Sequence, residues 1–161
     1  MNAQAPAINA RWLQKEIMAD IKKLFAKDQF KTSDGKMATP KAYAQQLPIV
    51  ETNSPESLFP AIIVRLESGE IETQESPHKV KLLLWAGIFD DNLENNGHFA
   101  ILEILERIQQ HYQEQPVLGA AVFSGPFEWA LQDEQSFPYF YGGCYLTFDL
   151  PAPRNAWSEY T

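Results

Sequence analysis

Residues 59–90 constrain the fold more than any other stretch of the chain. Phe59-Pro-Ala-Ile-Ile-Val-Arg-Leu66 and Lys79-Val-Lys-Leu-Leu-Leu-Trp-Ala-Gly-Ile-Phe89-Asp90 are β-rich runs, and the polar stretch between them holds Ser68-Gly69 and Ser76-Pro77. That is the pattern of paired antiparallel strands with a bulge and a turn. Side chains alternate along a strand, so Val80, Leu82, Leu84, Ala86 and Ile88 share one face. Lys79, Lys81, Leu83, Trp85 and Phe89 fall on the other. The first face is a buried one. The second starts charged and becomes apolar, so Trp85 and Phe89 are expected to meet another layer or another subunit.

A second periodicity flanks this hairpin. Over residues 8–27, Ala10, Leu13, Ile17, Ile21, Leu24 and Phe25 recur at helical spacing, with Arg11, Lys15, Lys22 and Lys23 off the stripe. Ile8 and Trp12 fall opposite its centre. Trp12 either packs against a neighbouring loop or anchors a contact between subunits, where Trp is enriched. Residues 97–114 form a second helix on the stripe Ile101, Ile104, Leu105, Ile108 and Tyr112, with Asn96 as the expected N-cap and Asp91 or Asn95 as alternatives. Phe99 lies opposite this stripe and joins Trp12 as an exposed apolar contact. Glu103 and Arg107, four apart, form an expected pair on the solvent side.

Elsewhere the chain is punctuated rather than periodic. From 28 to 58, Asp34-Gly35, Pro40, Pro48 and Ser54-Pro55 interrupt a mostly polar run, which predicts a long mobile arm with 42–47 as its one short structured piece. Pro116 ends the second helix, and two more strands are expected at about 120–131 and 139–150, with Cys144, Leu146, Phe148 and Leu150 on one face. Pro151-Ala-Pro153 stops the last strand and leaves a tail from 154 to 161. The expected fold is α+β: one largely antiparallel sheet of about four strands with two main helices packed on it, in the order helix-strand-strand-helix-strand-strand. All of it fits a single domain, with the core at 59–153.

Charge and composition exclude more than they assign. Residues 1–41 carry eight Lys or Arg and four Asp or Glu, against five and seventeen in the remainder. Only the N-terminal part could therefore offer a basic surface to nucleic acid. One cysteine excludes an internal disulfide and fits a reducing compartment. No apolar run approaches the roughly 20 residues a membrane helix needs, and the N-terminus lacks a signal-peptide core. His78, His98 and His111 have no metal-ligand spacing, and no nucleophile elbow or phosphate loop occurs. Asp90-Asp91 reads as turn chemistry and the acids from Glu67 to Glu75 as a solvated hairpin edge. No catalytic, cofactor-binding or metal-binding residue is expected, and the chain does not read as an enzyme.

One resemblance goes further. Phe59-Pro60-Ala61-Ile62-Ile63-Val64-Arg65-Leu66, Gly69-Glu70, Gly87-Ile88-Phe89-Asp90 and Ile101-Leu102-Glu103-Ile104-Leu105-Glu106-Arg107-Ile108 follow one another in order. Phe127-Glu128-Trp129, Phe137-Pro138-Tyr139 and Tyr141-Gly142-Gly143-Cys144-Tyr145-Leu146-Thr147-Phe148 continue the series. This ordered set resembles the tail terminator, or tail-completion, proteins of long-tailed bacteriophages. The resemblance implies a non-enzymatic subunit of a ring, usually a hexamer, that caps the tail tube and ends its elongation. The head connector then docks on it, with DNA only as passing cargo. It implies partners in the tail tube protein, the connector and further copies of the chain. It also implies a place in the virion tail or neck, in the host cytoplasm during assembly, and no membrane. Trp12, Phe99, Trp85, Phe89, Lys15, Lys22 and Lys23 are the candidate subunit or partner contacts. Another neck or head-completion component, or a monomeric protein-binding adaptor, is the alternative.

Overall fold

A computed structural model describes residues 7–48 and 58–152. The long hairpin lies at its centre: β4 (Ala61–Ile71) pairs antiparallel with β5 (His78–Phe89), with a register shift between Leu66 and Ser68. Strand β9 (Tyr139–Leu150) runs antiparallel along the whole of β5, from His78↔Leu150 to Phe89↔Tyr139. Residues buried on this sheet alternate strictly along β9, as the sequence predicts for Cys144, Leu146, Phe148 and Leu150.

The sheet is larger than the sequence suggests, and it is mixed. Strand β3 (Lys41–Ala44) pairs in parallel with residues 61–64 of β4. On the far side of β9 lie β6 (Val117–Leu118), β7 (Ala121–Phe123) and β8 (Glu128–Leu131). The strand order is β3-β4-β5-β9-β7-β6, with β8 also on β9, giving seven strands. A separate two-stranded sheet joins β1 (Phe30–Lys31) to β2 (Met37–Ala38). The expected sheet of about four largely antiparallel strands, in the order helix-strand-strand-helix-strand-strand, is therefore overturned. The added strands are two to four residues long, too short to show alternation, and their hydrogen bonds depend on partners distant in the chain.

One of these corrections has a local cause. Residues 120–131 do not form one strand, because Gly125 takes φ +58° and Pro126 has no N–H for the ladder. Residues 122–123 and 128–131 still pair along the same edge of β9, opposite 148–149 and 142–145. In the segment 28–58, residues 30–44 supply β1, β2 and β3, while 49–57 lie outside the described residues, as does the tail from 154 to 161.

Both helices cover one face. Helix α1 (Ala10–Leu24) begins at Asn9, whose side chain accepts a hydrogen bond from the Trp12 N–H at 2.9 Å. It buries Leu13, Ile17 and Ile21, and Phe25 follows at its C-cap. Helix α2 (His98–Glu114) buries all five stripe residues, Ile101, Ile104, Leu105, Ile108 and Tyr112. Its N-cap is Gly97, not Asn96, and no side chain caps it. A Cβ at Gly97 would run into the Phe140 ring, so tight packing on β9 decides this helix start.

The helices are also joined to each other by polar contacts. Arg107 does not pair with Glu103. It donates to the Leu24 carbonyl at 2.7 Å and to Asp28 at 2.6 Å, and its guanidinium lies 4.6 Å over the Phe25 ring. The end of α1 is thus capped by a cation from α2, which suits the negative end of the helix dipole. One helical turn pair further on, His111 Nε2 meets Asp20 at 2.7 Å. Among the described residues no helix is long and apolar enough to cross a membrane.

Candidate functional site

The face of the sheet away from the helices carries an aromatic band. Trp85 stacks on Tyr141 with centroids 4.9 Å apart and planes 21° apart, and Phe59 meets Trp85, Tyr139 and Tyr141 at 5.6–6.1 Å. Phe89 packs edge-on to Tyr139 at 5.5 Å. Small residues make the band possible. Gly87 stands opposite Tyr141 and Gly143 opposite Trp85, so the rings lie across the strands. A Cβ at Gly87 would fall 2.9 Å from the Phe59 ring. Toward the other end the face becomes charged: Lys81 sits 4.4 Å over Tyr145, and Lys79 pairs with Asp149 at 3.0 Å.

A shallow groove of about 190 Å³ opens beside this band, lined by Leu83, Trp85, Leu131, Gln132, Gly143 and Tyr145 among others. Its walls are apolar rings and aliphatic chains with one amide. No acid, base and nucleophile converge on it. Among the described residues no group of three or more His, Cys, Asp or Glu is placed to hold a metal ion. The Cys144 thiol faces the helices, fully buried, and burial pushes its pKa up to about 12. It is held as a neutral thiol and packs as a small apolar group.

Helix α1 presents the second feature. Arg11, Lys15, Lys22, Lys23 and Lys27 are all exposed, and none forms an ion pair among the described residues. There is no acid in the first turn. At 100° per residue, Arg11, Lys15 and Lys22 fall along one line of the helix. Next to Arg11 and Lys15 is a groove of about 360 Å³, lined also by Ala7, Asn9 and Trp12.

The sheet edges form the third. Strand β3 covers β4 only as far as Val64. The Gln45 side chain then serves as one further rung, accepting from the Leu66 N–H at 2.9 Å and donating to the Leu66 carbonyl at 3.1 Å. From Glu67 onward that edge has no strand partner among the described residues, and residues 67–75 are exposed throughout. At the opposite side β8 pairs only with β9 and leaves Trp129 half-exposed, at 53%.

The expected contact residues separate into these features. Trp85 and Phe89 lie together in the aromatic band, half-buried. Lys15 lines the α1 groove with Trp12, and Lys22 continues the same line, while Lys23 is turned away from it. Trp12 is half-buried, its ring closing over Gly119, where a Cβ would sit 3.0 Å from the indole. Phe99 stands apart at the start of α2, 62% exposed, against the His98 ring at 4.2 Å. Sequence reasoning missed Phe59 as the hub of the band and Trp129 as an exposed edge residue. Only the strand order shows that Trp129 lies at an edge left uncovered among the described residues.

No protein-family model matches the chain, and no curated protein matches it.

Proposed function

We propose that the chain is a structural subunit of a long-tailed bacteriophage particle. It assembles as a ring, a hexamer, on the end of the tail tube, stops elongation and presents the surface on which the head connector docks. DNA passes as cargo, and the subunit carries no catalytic step. The observation that supports this reading is spatial. The residues that carry the ordered resemblance fall on β4, β5, β8, β9 and α2 or directly beside their ends, a set of neighbouring elements in one sheet and the helix covering it. The exposed Phe99 and Trp129, and the sheet edges at β4 and β8, are the sort of surface that an assembly subunit buries late.

The test uses purified tail tubes that lack a cap. Added full-length chain is expected to bind tube ends, seen by electron microscopy as end density, and to arrest further addition of tube protein. Chain that leaves the ends bare and elongation unchanged would overturn the reading. A monomer that binds one soluble partner at a single stoichiometry would favour the adaptor instead. Density at the head vertex rather than the tube end would favour a head-completion component.

A further inference from the structure

The acidic hairpin and the basic line on α1 are complementary in charge, and neither is ion-paired among the described residues. Glu67, Glu70, Glu72 and Glu75 project on the β4–β5 hairpin beyond the last covered rung, and none forms an ion pair among the described residues. Lys79, directly opposite Glu70 in the ladder, is engaged with Asp149 instead. On α1, Arg11 lies in the first turn, where a cation opposes the helix dipole, and Arg11 and Lys15 are like charges four residues apart. Both placements are unfavourable for the isolated helix, and no ion pair among the described residues offsets them.

The dimensions also agree. From Arg11 to Lys22 the line runs about 17 Å at 1.5 Å per residue. The open part of β4, from residue 67 to 71, runs about 13 Å at 3.3 Å per residue, and Glu72 and Glu75 extend the acidic run past its end. The groove of about 360 Å³ between Trp12, Arg11 and Lys15 gives the line a concave end rather than a convex one. Long-range attraction between such surfaces speeds encounter and selects against like-charged partners.

We propose that the acidic β4–β5 hairpin of one copy docks on the basic line and groove of α1 of a second copy. This inference rests on the subunit reading above and specifies its self-contact. Used in one direction, hairpin of each copy on helix of the next, the contact is heterologous and generates a ring when its rotation closes.

Charge exchange tests it on the full-length chain. One variant carries Lys15→Glu and Lys22→Glu, the other Glu70→Lys and Glu72→Lys. Sedimentation over a concentration series is expected to show wild-type self-association that weakens about tenfold or more between low and high salt, as for screened exposed charges. Each variant alone is expected to lose self-association by about tenfold or more, since each opposes like charges. An equimolar mixture of the two is expected to associate again, and so is the chain carrying all four changes. Far-ultraviolet circular dichroism and the melting curve check folding. If the reversed helix misfolds, Lys15→Gln with Lys22→Gln is expected to show the same loss.

Variants that assemble as the wild type does would overturn the contact while leaving the tube-capping reading intact. A mixture that fails to associate although each variant is folded would overturn it too, as would a wild type that stays monomeric at every concentration. Tube-end binding by that monomer would still be scored separately, so the two readings fail independently. Binding of a labelled DNA duplex that is lost in the Lys15 and Lys22 variant, with self-association unchanged, would assign the line to nucleic acid and overturn the contact.

Discussion

The two faces of β5 differ in how their demands are met. Toward the helices, Val80, Leu82, Leu84, Ala86 and Ile88 are within 2% of complete burial, closed in by α1, α2 and the neighbouring strands. On the other side Leu83, Trp85 and Phe89 are half-buried, with rings from Phe59 and β9 lying across the strand beside Trp85 and Phe89, and Leu131 and Gln132 bordering the groove next to Leu83 and Trp85. One strand thus carries a finished layer and an unfinished one. Alternation and residue type pick out the Val80 face as the buried one from sequence, but they do not say how far the Trp85 face is covered, because that depends on which elements pack there.

The sharpest way to break this comparison is at adjacent residues. Leu84→Ala removes a fully buried side chain between Val64 and Cys144, and is expected to cost about 2–5 kcal/mol, read from the denaturant midpoint. Trp85→Ala removes a larger side chain from the half-covered face and is expected to cost less than Leu84→Ala. An equal or greater loss at Trp85 would mean that the outer face is core as well. The neighbouring glycines of β9 sharpen the same contrast. A Cβ at Gly142 would lie 2.5 Å from Ile101 Cγ2, so Gly142→Ala is expected to cost about 1–3 kcal/mol by overpacking. At Gly143 a Cβ would lie 3.0 Å from Leu83 Cδ1, on a half-buried side chain that can turn away, and 3.3 Å from the Leu84 carbonyl oxygen, so a loss smaller than at Gly142 is expected.

A pH series addresses the inner face alone. Burial raises the Cys144 pKa from 9.0 to about 12, so the folded chain keeps a proton that the unfolded chain releases. This contribution to stability is complete below about pH 9 and is lost progressively as pH rises from there toward 12, with a slope of up to about 1.4 kcal/mol per pH unit. Cys144→Ala is expected to flatten that part of the alkaline profile. An unchanged profile would show that the thiol does not titrate differently on folding. The smallest expected effect is at Tyr112, whose hydroxyl is buried without a hydrogen bond of normal geometry and whose pKa is raised by burial and by the nearby Asp20. Tyr112→Phe is expected to leave stability unchanged or raise it by up to about 1 kcal/mol.

Legibility followed the range over which each signal acts. The stripes of α1 and α2 and the faces of β5 and β9 were readable because ten or more residues repeat one period. Strand β3 was not, since Lys41–Ala44 becomes a strand only by parallel pairing with 61–64. Asn96 is the better capping residue by type, yet Gly97 starts α2 because the Phe140 ring occupies the space of a side chain there. Arg107 had a favourable partner four residues away and instead reaches α1, a choice that local spacing cannot contain. Of the contact residues, Lys15, Lys22 and Phe99 were legible as exposed. Trp12 was legible only as off the stripe, because Gly119 lies more than a hundred residues away along the chain.

From its sequence alone the chain determines two amphipathic helices, a long central hairpin and a last strand that alternates without error, since local periodicity selects both backbone and buried face. It also determines the segregation of charge, with bases gathered on α1 and acids on the hairpin. Only the tertiary structure decided that, among the described residues, the sheet has seven strands and one parallel pair, and which of its edges stay open. Those outcomes depend on hydrogen bonds and packing between residues far apart in the chain, whose free energy exists only once the partners have met.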